Sequence, residues 1–193
     1  MNVLRPGSGF LFMKVGTHAS EDLSSILQRK NEEIARGGFA MWGYGGGTCH
    51  PLTMVRPFAD MFQSAGEPIR LVMEEMSSNH FAEQVVAEEY SIDGKDWTAI
   101  NTEIHKVLGS RYALFIKNLR QEEFELPLAQ SKVAVGPSEG RRGNIYVQGR
   151  VDKACLVLDP LPTPAGEEEG ITRPISLVAD IVYPYAALLR NKP

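Results

Sequence analysis

The 193-residue chain predicts an α+β fold: a curved, mostly antiparallel sheet carrying two or three helices. Three observations carry this reading. Apolar runs of strand length recur from Arg111 to Leu158, separated by turn residues, a spacing that favours a sheet curling toward a barrel. Helical periodicity runs through the first third, where Leu23, Ile26, Leu27 and Ile34 form an interrupted apolar stripe. The composition, 43% hydrophobic and 23% charged, excludes collagen-like, coiled-coil and largely disordered classes. A single globular domain over 1–193 is expected at this length.

The elements follow in order. Residues 9–15 are a short apolar run, read as a buried strand. Ser20 is the expected N-cap of the first helix, with Glu21 and Asp22 suited to the positive end of its dipole. Gly37 and Gly38 stop that helix. Residues 39–42 read as a second strand, followed by a Gly-rich loop. Pro57 would damage a helix already running from Pro51, so 51–56 read as a turn and 57–65 as a short helix. Residues 68–76 read as a strand. Residues 85–92 and 95–100 flank Asp93-Gly94, a strong hairpin signal, and 101–109 form a connector. Residues 111–119, 123–128, 132–135, 144–148 and 151–158 read as successive strands. The Pro-, Gly- and Glu-rich stretch 161–174 reads as a mobile surface loop. Residues 175–193 pack on the core or on a partner, either as a helix kinked at Pro184 or as a strand ending near Tyr183 with a short helix after it.

Residues 37–51 hold six of the 18 glycines, one of the two cysteines and one of the four histidines. Glycine is used where the backbone takes positive φ or lets another group approach closely. The favoured reading is a small-molecule binding module for a nucleotide-like or other anionic ligand. Gly43, Gly45, Gly46 and Gly47 would present backbone N–H groups. Trp42 and Tyr44 would stack on a flat ring, and Thr48 and His50 would hydrogen-bond. Arg141 and Arg142, in a Gly-flanked turn, would close over the anion. Lys14, Arg56, Arg150 and Lys153 are further contributors. The loop matches neither the P-loop nor the dinucleotide-binding glycine pattern.

Two alternatives stand beside this. A thiol-dependent hydrolase or transferase would use Cys49 as nucleophile, with His50 beside it and a base recruited from His18, His80 or His105. An interaction or oligomerisation protein would expose Ile181, Val182, Tyr185 and Leu189. No ligand spacing for a metal is present, and no cofactor is implied. The formal net charge of -4 argues against general attraction to nucleic-acid backbones, leaving a specific site open, as it does a homo-oligomer. The two cysteines form no CxxC pair or disulfide framework, and no apolar run is long enough to span a bilayer. A soluble cytoplasmic protein without membrane contact is expected.

The order strand, helix, strand, Gly-rich loop, short helix and then many strands is similar to that of small PUA-like barrels, including the EVE group. The resemblance covers element order over most of the chain. It implies a partial barrel and, because members of that superfamily often bind nucleic acid or modified bases, a pocket beside it. It assigns no residue a role.

Overall fold

The computed structural model describes residues 3–45, 47–77, 85–148, 151–161 and 172–191. The fold is mixed α+β, a nine-stranded sheet with helices against it. The strands are β1 (Gly9–Val15), β2 (Ala40–Tyr44), β3 (Ile69–Glu75), β4 (Glu89–Ser91), β5 (Thr98–Ala99), β6 (Tyr112–Pro127), β7 (Ser131–Val133), β8 (Lys153–Leu158) and β9 (Thr172–Arg190). Their order is β2-β6-β9-β3-β1-β8-β7, with β4 on the far end of β9 and β5 on β4. Among the described residues, only β1 and β3 pair in parallel; the other pairs are antiparallel. The sheet curls strongly but does not close into a barrel, so the barrel expectation stops at an open, curved sheet.

Strand β9 is the spine. It lies between β6 and β3, and its Ile175, Leu177, Val178 and Ala179 are buried. Residues 175–191 therefore contribute neither a helix nor the expected exposed patch: Ile181, Tyr185 and Leu189 are buried and Val182 is half-buried. Pro184 is tolerated because β9 bulges there. Ile181 pairs with Ile116 and Ala186 with Leu114, leaving four β9 residues opposite one of β6. An N–H is not needed by the ladder at such a site. Residues 172–174 of the expected mobile loop also belong to β9, and 162–171 lie outside the described residues.

The expected pair of strands at 111–128 is one long strand, β6, with register shifts between Leu114 and Ile116, between Lys117 and Arg120, and between Gln121 and Phe124; the middle one holds Asn118, which has φ 51°. Bulges increase local twist and bend the strand, which helps curl the sheet. Alternation along the strands then sends residues to two faces. Leu11, Trp42, Leu71, Leu114 and Cys155 meet on the concave face. Phe10, Phe12, Val72 and Leu156 form a second cluster on the other side. A third gathers Met41, Val107, Ala113 and Phe115.

Helix α1 (Leu23–Gly37) is capped by Asp22, whose side chain accepts from Ser25 N–H at 2.8 Å. Ser20 does not cap it; Ala19 and Ser20 take positive φ and move the cap two residues on. Hydrogen bonds from the Ser25 backbone and side chain and from Ser24 hold the Asp22 carboxyl below its ordinary range. Gly38, at φ 82°, ends the helix as expected. Residues 51–55 form one π-helical turn, and α2 (Arg56–Ser64) continues from it with Pro57 in its first turn. The turn expected at 51–56 is thus helical. Residues expected as a strand at 144–148 start a short helix, α3 (Gly143–Tyr146). A hairpin forms around Asp93-Gly94, but the two-residue turn expected between 85–92 and 95–100 is replaced by the longer loop 92–97 between the short β4 and β5; within it Asp93 Oδ1 accepts from Lys95 and Asp96 N–H at 2.8 Å each.

Candidate functional site

Strands β2 and β8 stand far apart in the strand order, yet the curl brings their ends toward one another. The Gly-rich loop after β2 crosses this gap. Tyr44, on the concave face, donates its hydroxyl to the Cys49 carbonyl at 2.8 Å. Cys155 on β8 donates to Cys49, with the sulfurs 3.8 Å apart. Burial pushes the Tyr44 phenol well above its ordinary value, with the Cys49 and Cys155 thiols adding to it. The hydroxyl therefore stays protonated and remains a donor.

Beside this tie lies a cavity of about 370 Å³. Its walls come from the C-terminal ends of β1 and β2, the N-terminal half of α1, the segment 106–110 and the start of β8. Six of the predicted loop residues line it, Trp42, Gly43, Tyr44, Gly45, Gly47 and Thr48, together with Lys14 and Lys153 of the further contributors and the candidate base His18. Gly46 lies outside the described residues. Met13, Val15, Leu23 and Ile26 supply apolar wall.

Five basic residues line the cavity (Lys14, Arg29, Lys30, Lys106 and Lys153) against the carboxylates of Glu21 and Asp152. Their partners separate them. Arg29 is held by Glu21 and Glu33. Lys30 Nζ is saturated: it donates to Glu33 Oε1 at 2.8 Å, the Met41 carbonyl at 2.6 Å and the Lys106 carbonyl at 2.8 Å. Lys153 is different. Alternation along β8 puts it on the same face as Cys155, and it is only 6% exposed. It donates to Asp152 Oδ1 at 3.0 Å, whereas an ammonium has three donors. Trp42 is 4% exposed, and its indole N–H is buried without an acceptor among the described residues. A buried polar group left unpaired costs about 1–3 kcal/mol.

The remaining predicted residues are placed elsewhere. His50 caps the π-helical turn, its Nδ1 accepting from Leu52 N–H at 3.3 Å, and meets the Tyr112 ring edge-on. Arg142 pairs with Asp159, and neither it nor Arg141 is among the cavity-lining residues. Arg56 donates to the Ile92 carbonyl. Cys49 is 1% exposed. Its hydrogen bond with Cys155, and then burial, push the Cys155 thiol well up. Among the described residues no histidine bonds to Cys49: His18 Nε2 is 2.9 Å from the Leu108 carbonyl oxygen, and His105 stacks on Phe39. His80 and Arg150 lie outside the described residues. No group of three or more metal-ligating side chains forms among the described residues, and none of their helices is long and apolar enough to cross a membrane.

Sequence reasoning missed Lys30, Asp152 and the segment 106–110. Lys30 had a signal: it falls where the α1 stripe Leu23, Ile26, Leu27, Ile34 is interrupted, on the face that must be buried. The segment 106–110 had none, because its place depends on contacts with α1 and β2.

No protein-family model matches the chain, and no curated protein or solved structure matches it either. The likeness to PUA-like barrels therefore rests on element order alone.

Proposed function

We propose that the protein is a small-molecule binding module whose ligand joins an anionic group to a flat or apolar body, as a nucleotide does. The observation that supports this most is the buried Lys153 ammonium, bonded to the single carboxylate of Asp152, in a cavity where Trp42, Gly43, Tyr44 and apolar side chains stand beside Lys14, Glu21, Arg29, Lys30 and Lys106. In such a low-dielectric site a charge-assisted hydrogen bond to phosphate or carboxylate is stronger than in water. The cavity size falls at the lower end of small-molecule sites. Lys153 takes the anchoring role first given to Arg141 and Arg142. Lys106, exposed at the rim, adds positive potential that draws an anion in.

The test is a thermal-shift titration with ribonucleoside 5′-monophosphates and simple carboxylates. Saturation at about 100 times the dissociation constant stabilises the fold by roughly 2.7 kcal/mol, roughly 5–10 °C for a chain of this size. Lys153→Met keeps the bulk of the side chain and removes the charge, and the shift should vanish in it. An equal shift in wild type and Lys153→Met would overturn this reading.

A further inference from the structure

Strand β2 is an edge strand. Strand β6 covers one side, and the other carries the backbone groups that antiparallel pairing leaves outward. At Met41 those groups are covered: its N–H donates to Glu33 Oε2 at 3.3 Å, and its carbonyl accepts from Lys30 Nζ at 2.6 Å. Bonded and non-bonded positions alternate along an antiparallel ladder. The β2–β6 register runs unbroken from Ala40↔Ile116 to Tyr44↔Tyr112. Since Met41 faces outward, Gly43 does too. Gly43 lines the cavity, and no described residue bonds to its N–H or carbonyl.

We infer that the Gly43 N–H and carbonyl read the edge of a planar heterocycle that presents an acceptor and a donor side by side, as a nucleobase does. This rests on the reading of the cavity as an anion site and adds how the uncharged part of the ligand is selected. Three features support it. Only one outward residue is open, because Met41 is covered on one side and the strand ends at Tyr44 on the other. That suits a small ring, whereas an added peptide strand pairs along a run of outward groups. Gly43 also lets the wall come close: a Cβ there would lie 2.6 Å from Ser110 Oγ and 2.8 Å from Val107 Cγ1. Finally, the neighbouring Trp42 indole N–H is a buried donor without an acceptor among the described residues, suited to a ring nitrogen or carbonyl oxygen.

The experiment is an amide ¹⁵N–¹H titration of the full chain with the four ribonucleoside 5′-monophosphates and, separately, with ribose 5-phosphate. The Gly43 cross-peak should move with at least one mononucleotide and stay still with ribose 5-phosphate. The sugar phosphate should bind about tenfold more weakly or worse, the worth of one or two neutral hydrogen bonds. Equal affinities, a stationary Gly43 peak, or the same Gly43 shift with both compounds would overturn the edge reading while leaving the anion cavity intact. Failure of every phosphate compound to bind would overturn the edge reading, and failure of the simple carboxylates as well would overturn both.

Discussion

Burial pushes the Lys30 ammonium down to about 8 from an ordinary 10.5, with Glu33 offsetting part of the effect. Glu33 is buried as well. Burial works to raise its carboxyl, but the His105 ring, the Lys30 charge and the Lys106 N–H outweigh this and hold it below its ordinary range. The pair satisfies the outward groups of Met41, which would otherwise be an open sheet edge. Breaking one half of a buried ion pair is worse than never having it, because the other charge stays buried. Glu33→Gln should therefore destabilise the fold by about 3–5 kcal/mol in urea unfolding. The pH dependence has a definite sign. With the folded value of Lys30 below its unfolded one, the unfolded chain binds more protons between them, so stability rises with pH there. Glu33→Gln removes the charge that holds the Lys30 value up, which extends the window downward. The variant should gain stability from pH 7 to 9 more steeply than wild type, and parallel profiles would contradict this. The interrupted stripe was legible at this scale. That a lysine, rather than a leucine, covers the β2 edge was not, since only the packing of α1 on β2 makes the position polar.

At the scale of elements, two side chains, Tyr44 of β2 and Cys155 of β8, hold Cys49 at the far end of the Gly-rich loop. Tyr44 ties the Cys49 carbonyl from below, and Cys155 meets the Cys49 sulfur from β8. Tyr44→Phe leaves that carbonyl without its donor, at a cost of about 1–3 kcal/mol. The loop should then open more often, and iodoacetamide should modify Cys49 faster than in wild type, read by peptide mass spectrometry at pH 8. An unchanged rate would show that the tie does not hold the loop. In wild type the reaction should be slow, because thiolate character and access set thiol reactivity and Cys49 is buried against a protonated thiol. Sequence reading placed the loop after a strand; its Trp42, Gly43, Tyr44, Gly45, Gly47 and Thr48 line the cavity, whereas His50, Arg141 and Arg142 do not. It gave Tyr44 a stacking role, whereas the buried hydroxyl makes it a strut.

For the whole molecule, β9 decides the architecture. It joins the β2–β6 half of the sheet to the β3–β1–β8–β7 half, and β4 hangs from its end. Removing residues 175–193 should yield an insoluble or unfolded product, because it exposes the inner edges of β6 and β3 together. A soluble, folded monomer in circular dichroism and gel filtration would contradict this placement. The cavity belongs to the same scale. It exists because the sheet curls without closing, which leaves a gap between β2 and β8 for the loop and the segment 106–110 to wall in.

The sequence by itself determined the α+β class, the strand at 9–15, the helix ending at Gly38, the Asp93-Gly94 hairpin and the loop that lines the cavity. Each follows from local chemistry: periodicity, capping, turn residues and glycine content act over a few neighbouring positions. Only the tertiary structure decided that 172–190 is one central strand, that Lys153, and neither Arg141 nor Arg142, lines the cavity with the Gly-rich loop, and that Cys49 meets Cys155 across 106 residues. Those outcomes depend on sheet order, register and curl. Long-range pairing energies set these, and no local pattern carries them.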